Sequence, residues 1–268
     1  MKQLFTTNSG KQIAYRTYGH ADCFPVILHH GLVGSCDLLP YWDIKAKEAG
    51  INLIAIERPG YGDSDPDENM HQVIDWSERI SPLLDSLNIK TFGSIGISAG
   101  TPYAYSLAAG FPDKVERVWI LSGVPFLMDK EVFACYPKVE QQEYTYYKTA
   151  PLEAIANKFK DYLDKLYNTY DETSIMRKGV EATMKHNRLG IAREAKLQIT
   201  DWGFKLEQIV QPTTLWHSVT DDIIPFTAVQ KTLPHLPNAT LNIQKENSHF
   251  PSEATVLAMF REIKEFLR

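Results

Sequence analysis

The chain has 268 residues, which is enough for one large α/β domain with an insertion or for two small domains. Hydrophobic residues make up 44% of the chain and charged residues 23%, as in ordinary globular proteins. The formal net charge of −5 gives no reason to expect nucleic acid or an anionic membrane as a partner.

The three cysteines, Cys23, Cys36 and Cys135, are widely spaced and include no C-x-x-C pair. We therefore predict free thiols in a reducing cytoplasm, and neither a disulfide framework nor a zinc site. The N-terminus contains no apolar core of signal-peptide length, and no apolar run approaches the length of a membrane span. The expectation is a cytoplasmic protein without a bound metal.

Short apolar segments alternate with helical patterns along most of the chain, which predicts an α/β fold with a mostly parallel, doubly wound sheet and helices on both faces. Residues 3–7 and 11–17 flank Asn8-Ser9-Gly10 and predict a β-hairpin that forms an antiparallel edge. The further predicted strands are residues 26–29, 53–56, 91–97, 118–121, 213–217 and 240–243. The predicted helices that alternate with them are residues 38–49, 70–87, 101–110 and 252–267.

A long helical stretch, residues 124–202, interrupts this alternation, and the strand pattern resumes after it. We therefore predict one domain with an all-helical insertion, whose core comprises residues 1–123 and 203–268. Seven of the thirteen tyrosines lie within residues 136–170, so aromatic packing is expected inside the insertion.

The most informative motif is Gly96-Ile97-Ser98-Ala99-Gly100, which lies between a predicted strand and a predicted helix. A turn this sharp holds the serine in a strained conformation, and a Cβ atom at either glycine position would collide with neighbouring backbone. The serine hydroxyl then stands clear of the sheet, as in the G-x-S-x-G nucleophile elbow. Ser98 is therefore predicted to be a nucleophile.

A serine nucleophile needs a base, and the base needs an orienting carboxylate. The elbow architecture predicts the chain order serine, acid, histidine. His249 is the only histidine after the last predicted strand, and Asp221 and Asp222 both follow the penultimate one. Position alone leaves the choice between these two aspartates open.

An oxyanion site requires two backbone N–H groups. One is expected from Ala99, the residue after the nucleophile. The other is expected from the glycine-rich loop after the third predicted strand, His30-Gly31-Leu32-Val33-Gly34, in which the N–H group of Leu32 is the best candidate.

These motifs together resemble the α/β-hydrolase fold superfamily. The resemblance rests on His30-Gly31-Leu32, Arg58-Pro59-Gly60-Tyr61-Gly62-Asp63-Ser64, the Ser98 elbow, Ser218-Val219-Thr220-Asp221 with Pro225, and His249. In this family the acid usually follows a glycine by three residues and precedes a proline by four. Ser218 stands at the glycine position here, and the spacing implies that Asp221 is the acid. The helical insertion corresponds to the family's cap.

The resemblance implies a serine hydrolase that cleaves a small ester, with Ser98 as nucleophile, His249 as base and Asp221 as the acid that stabilises it. Aminopeptidases of the proline-iminopeptidase type and carbon–carbon bond hydrolases of the family use the same triad, so both activities stay open. Family members with haloalkane dehalogenase or epoxide hydrolase chemistry have aspartate at the elbow, which makes that chemistry a poor fit to a serine.

A small-molecule binding protein on the same fold, with a receptor-like role, is a further alternative that the complete triad disfavours. The sequence contains no phosphate-binding or dinucleotide-binding glycine motif and no metal-ligand spacing, so we expect no cofactor. The expected partner is a small-molecule substrate, and the oligomeric state is left open.

Overall fold

The computed structural model describes residues 1–245 and 247–268. The strands are β1 (Gln3–Thr6), β2 (Gln12–Gly19), β3 (Phe24–His29), β4 (Ile51–Ile56), β5 (Phe92–Ile97), β6 (Val115–Leu121), β7 (Thr213–Ser218) and β8 (Ala239–Gln244). They form one sheet in the order β1-β2-β4-β3-β5-β6-β7-β8. β2 is antiparallel to β1 and to β4, and all other neighbouring pairs are parallel. The predicted edge hairpin and the mostly parallel sheet are both confirmed.

Helices follow most of the strands. They are α1 (Pro40–Ala49), α2 (Asp75–Ser86), α3 (Thr101–Gly110), α4 (Lys130–Phe133), α5 (Lys138–Thr149), α6 (Leu152–Lys158), α7 (Lys160–Thr169), α8 (Ile175–Met184), α9 (Leu189–Gln198), α10 (Phe226–Thr232) and α11 (Glu253–Phe266). Across residues 1–245 and 247–268, no helix has both the length and the apolar character needed to cross a bilayer.

The two faces of the sheet bury different helices, because successive side chains of a strand point to opposite faces. Val26 and Leu28 of β3 lie in a buried core with α1 and α11. Ile27, between them, lies in the other core with α2 and α3. Each such aliphatic side chain contributes roughly 1.5–3 kcal/mol when fully buried. Helices therefore cover both faces, which confirms the predicted α/β fold class.

Two predicted helices begin later than expected. The helix predicted for residues 70–87 begins at Asp75, because the Asp75 carboxylate accepts the backbone N–H groups of His71 and Gln72 at 2.7 and 2.9 Å and so holds the preceding residues in a turn. The helix predicted for residues 38–49 begins at Pro40, whose ring favours the first helical position.

The helices between β6 and β7, α4 to α9, pack on loops at the carboxyl ends of neighbouring strands. Leu32 and Val33, which follow β3, lie in an apolar cluster with α7, α8 and α9. A Cβ atom at Gly190 would lie 2.5 Å from the Gly60 carbonyl oxygen, so α9 contacts the backbone of the turn after β4 directly. This helical segment therefore lies on the edge of the sheet where parallel α/β proteins hold ligands.

Candidate active site

Ser98 lies in the turn between β5 and α3. Its backbone φ is +50°, in the left-handed region, which costs about 1–3 kcal/mol for a residue other than glycine. A Cβ atom at Gly100 would lie 2.2 Å from the His29 carbonyl oxygen, and one at Gly96 would lie 2.8 Å from the Thr101 Cα atom. Both flanking positions therefore exclude side chains, and the turn leaves Ser98 partly exposed at the carboxyl edge of the sheet.

His249 is a buried residue in the loop between β8 and α11. Its Nε2 atom lies 2.9 Å from Ser98 Oγ, and its Nδ1 atom lies 2.9 and 3.1 Å from the two carboxylate oxygens of Asp221. An ionised carboxylate can only accept hydrogen bonds, so Nδ1 carries the ring proton and Nε2 accepts the Ser98 hydroxyl. The structure thus brings Ser98, His249 and Asp221 into one continuous hydrogen-bonded chain.

Asp221 lies in the loop after β7, and its side chain is fully buried. Its Oδ1 atom accepts the backbone N–H groups of Ile223 and Ile224 at 2.9 and 2.8 Å. Burial by itself raises the pKa of Asp221, but the hydrogen bonds from His249 and from these two amides outweigh it and lower the pKa below its usual value. Asp222 is exposed, so of the two aspartates it is Asp221 that contacts the histidine.

The loop after β3 passes beside Ser98, since a Cβ atom at Gly31 would lie 3.7 Å from the Ser98 Cβ atom. Arg58 holds this loop by donating hydrogen bonds to the carbonyl oxygens of His30 and Gly31 at 2.5 and 3.0 Å. The C=O and N–H groups of a trans peptide point in opposite directions, so the N–H group of Leu32 points away from Arg58.

The two residues predicted to supply oxyanion N–H groups are held by different contacts. Ala99 is buried in the short helical turn Ser98–Gly100. Leu32 is partly buried, and its carbonyl oxygen accepts the Tyr61 hydroxyl at 3.0 Å. Their role in binding an oxyanion stays a prediction.

A buried ion pair joins Arg58, in the loop after β4, to the helical segment. Arg58 Nε and Nη2 donate to the two carboxylate oxygens of Glu194 in α9 at 3.0 and 2.7 Å, and each side chain is 1% exposed. Burial raises the pKa of Glu194, and the guanidinium group of Arg58 offsets part of that rise. No sequence motif marked Glu194, because a single glutamate in a helix usually faces solvent.

Two other histidines near this edge of the sheet form hydrogen bonds with groups outside the proposed triad. His29 Nε2 accepts the Trp76 indole N–H at 2.9 Å, and His29 Nδ1 donates to the Ile95 carbonyl oxygen at 3.3 Å. Burial lowers the pKa of His29 to about 3, so its ring stays neutral. His30 Nδ1 lies 2.8 Å from the Gly31 carbonyl oxygen and so belongs to the loop itself.

Within the part of the chain that the structure describes, one group of potential metal ligands has its atoms within 4.8 Å of one another: Cys36, Asp37 and Glu57. Glu57 pairs with Lys2 at 2.8 Å, and Asp37 pairs with Arg16 at 2.6 Å. Burial also raises the pKa of the Cys36 thiol, which disfavours the thiolate that a metal requires. The two carboxylates are therefore already engaged in ion pairs with neighbouring basic side chains, and the Cys36 thiol favours its protonated form.

The fold and the serine, histidine and aspartate at its edge are those of an α/β hydrolase. The chain matches the sequence profile of the α/β-hydrolase fold family over residues 25–253, and it belongs to that family.

Sequence relatives and solved structures support the same class. The chain is 27% identical over 259 residues to a non-heme chloroperoxidase of Streptomyces lividans, a match that covers 88% of each protein. It is also 27% identical over 129 residues to a bifunctional esterase/perhydrolase of Acinetobacter calcoaceticus, covering 47% of this chain and 46% of the relative. An esterase from Exiguobacterium antarcticum has the same fold, with a TM-score of 0.75 at 16% identity over 100% of this chain and 98% of the other. The family match and the sequence relatives support an enzyme of the hydrolase class, and the solved structure supports the fold.

Proposed function

We propose that the protein is a serine hydrolase that cleaves small carboxylic esters, with Ser98 as nucleophile, His249 as general base and Asp221 as the orienting acid. The observation that carries this proposal is the chain from Ser98 Oγ through His249 to Asp221, with 2.9 Å at each link. A serine hydroxyl is a weak nucleophile alone, and a hydrogen-bonded base that is itself held by a carboxylate activates it.

Acylation begins when Ser98 Oγ attacks the ester carbonyl carbon and the serine proton passes to His249 Nε2. The ionised Asp221 carboxylate stabilises the imidazolium that results. Negative charge develops on the carbonyl oxygen, where the N–H groups of Leu32 and Ala99 are proposed to donate hydrogen bonds. The tetrahedral intermediate then collapses, His249 returns the proton to the leaving alcohol oxygen, and the acyl group remains on Ser98.

Deacylation repeats these steps with water. His249 takes a proton from the water molecule as its oxygen attacks the acyl carbon, and a second tetrahedral intermediate forms. The bond to Ser98 Oγ breaks, and Oγ regains its proton from His249. The products are the carboxylic acid and the free enzyme, and Asp221 stays unprotonated throughout.

We further propose that residues 124–202 act as a cap that selects among acyl and alcohol groups. The rings of Tyr136 and Tyr144 in this segment lie 5.6 Å apart, and those of Tyr144 and Tyr147 lie 6.2 Å apart. Burial raises the pKa of Tyr136, and the charges of its neighbours, Asp221 among them, add to that rise. Tyr136 therefore lies near Asp221, and we propose that the aromatic cluster shapes the site for an uncharged substrate group.

A panel of p-nitrophenyl esters of increasing acyl length tests the proposal. The wild-type enzyme is expected to show multiple turnover, and Ser98→Ala is expected to show only the background rate, with a melting curve that confirms its fold. Proline p-nitroanilide in the same panel tests the aminopeptidase alternative. Saturable binding of esters without turnover would favour the receptor-like alternative.

A second candidate activity is perhydrolysis at the same serine, because the relatives include a non-heme chloroperoxidase and an esterase/perhydrolase. Hydrogen peroxide would replace water in attacking the acyl group on Ser98, and the product would be a peroxy acid. His249 would accept the proton from either nucleophile. Iodide oxidation in the presence of an ester and hydrogen peroxide measures the peroxy acid, and Ser98→Ala should abolish it.

A further inference from the structure

The Asp221 carboxylate has a second histidine neighbour, which the proposed reaction steps do not use. His217 lies near the end of β7 and is 1% exposed. Its Nε2 atom lies 3.2 Å from Asp221 Oδ2 and 3.0 Å from the Ile224 carbonyl oxygen. On its other side the ring packs near Phe226 of α10, with ring centroids 6.3 Å apart.

These surroundings select one tautomer of His217. Both neighbours of Nε2 are acceptors, so Nε2 carries the proton, and it donates to the Ile224 carbonyl oxygen. Among the described residues, nothing hydrogen-bonds to the buried Nδ1 atom. Burial lowers the pKa of His217, so the ring stays neutral at physiological pH. His217 is therefore a neutral ring that donates a hydrogen bond to the Ile224 carbonyl oxygen and places its N–H dipole beside the carboxylate.

Both oxygens of Asp221 are held by donors of the protein. Oδ1 accepts the backbone N–H groups of Ile223 and Ile224. Oδ2 accepts from His249, and the protonated Nε2 atom of His217 lies 3.2 Å from it. The N–H group of Ile224 holds Oδ1, and its carbonyl oxygen is hydrogen-bonded to His217 of β7, so β7 holds the acid loop in place.

We propose that His217 is a positioning residue, whose Nε2–H group donates to the Ile224 carbonyl oxygen and so holds the acid loop where Asp221 accepts the Nδ1–H group of His249. The inference rests on the proposed function, because His217 acts on the reaction only through the orientation of Asp221.

Loss of this donor has two expected consequences. The catalytic constant kcat falls, because Asp221 then orients His249 less well. The acid limb of kcat/KM moves to higher pH, because a carboxylate without the His217 N–H dipole beside it attracts the proton of His249 more strongly. Tyr136 also interacts electrostatically with Asp221, and burial raises its pKa, so it stays neutral over the same pH range.

Glutamine and methionine form a matched pair of replacements, because their side chains are similar in length and only glutamine has a terminal N–H group. His217→Met is expected to lower kcat by about tenfold, whereas His217→Gln stays within about threefold of the wild type. KM should stay nearly constant in both, and only His217→Met should show the shifted acid limb. Equal kcat values and equal acid limbs in the two variants, beside an active wild type, would overturn the proposal.

Nitrogen NMR of the wild-type enzyme gives a second measurement that does not depend on the folding of either variant. The His217 ring is expected to keep its proton on Nε2 and to stay neutral across the range in which an ordinary histidine titrates. A proton on Nδ1, or titration of His217 in that range, would refute the assignment. Failure of the proposed function would look different: the wild type would not turn over esters, while the NMR spectrum would still show whether His217 carries its proton on Nε2.

Discussion

The α/β core and the helical segment between β6 and β7 are ordered by different kinds of contact. In the core, Ser98, Asp221 and His249 lie in three separate loops and are joined by hydrogen bonds of 2.9 Å. In the helical segment, apolar and aromatic packing dominates, and the buried pair of Glu194 with Arg58 ties it to the core. Hydrogen-bond chains tolerate little displacement, whereas packed helices tolerate many sequences. Changes in the core should therefore alter kcat, and changes in the helical segment should alter stability or substrate choice.

The largest effect is expected from removing the proposed base. His249→Ala should lower kcat toward the scale of about 10⁶-fold known for a triad histidine in another serine hydrolase. His235→Ala is the matched control, because His235 pairs with Glu207 at 2.8 Å and has no part in the chain to Ser98. Steady-state ester hydrolysis measures both variants. If His249→Ala turned over esters as fast as the control, His249 would not be the general base.

The neighbouring aspartates offer a sharper comparison inside the core. Asp221→Asn preserves shape but favours the wrong tautomer of His249, and a loss on the order of 10⁴ in kcat is the upper guide. Asp222→Asn should change kcat by less than about tenfold, because its side chain is exposed. Steady-state kinetics together with melting curves separate the two variants. The reverse ranking would contradict the assignment of the acid.

The contact between the two regions is tested by Glu194→Ala, which leaves the Arg58 charge buried without its partner. Removing one member of a buried ion pair typically costs about 3–5 kcal/mol of stability. The control is Glu131→Ala, whose exposed pair with Lys231 should contribute no more than about 1 kcal/mol. Urea unfolding measures the free energy of both variants. Equal midpoints would show that the buried pair does not stabilise the junction.

Substrate choice is expected to respond to the aromatic cluster of the helical segment. Tyr144→Ala should change the ratio of kcat/KM for long and short acyl esters by about tenfold, the scale of a lost apolar contact in a pocket. Tyr162→Ala is the control, because Tyr162 is 50% exposed. The ester panel gives the ratio for each variant. If substitutions across the cluster left this kcat/KM ratio unchanged, the helical segment would not determine substrate specificity.

The smallest effect concerns the slope of the pH profile, which reports how many protons must be lost for activity. Hydrogen bonding lowers the pKa of Asp221, so this carboxylate is ionised at neutral and mildly acid pH and gains a proton only as the pH falls through that lowered value. Burial lowers the pKa of His217 and of His29, so both rings stay neutral. Only His249 must then lose a proton for activity, and log kcat/KM should rise with a slope of about one on the acid side. A slope near two would reveal a second essential group.

The two regions also differ in what the sequence could predict. The strand, turn and helix around Ser98 leave a clear pattern because the turn needs glycines, and this signal is local, so one sequence suffices to see it. Asp221 was preferred to Asp222 only on the spacing from Ser218 to Pro225 that the family resemblance implies. The later start of α2 was missed, because the Asp75 side chain caps a turn that the apolar periodicity does not record.

The contacts between distant segments were not predictable in this way. The helical character of residues 124–202 was predicted from its pattern, and helices α4 to α9 lie there. Nothing local distinguishes Glu194 from a solvent-facing glutamate, or His217 from any other histidine in a buried strand. Their partners, Arg58 and Asp221, are set by tertiary distances, which a single sequence does not contain.

The most direct test of the central claim is covalent labelling of the serine. The protein is treated with a fluorophosphonate, and the intact mass is measured for the wild type and for Ser98→Ala, with Ser94→Ala as a control at a buried serine of β5. The account predicts one adduct on the wild type and on Ser94→Ala, and none on Ser98→Ala. An adduct of undiminished yield on Ser98→Ala would contradict it.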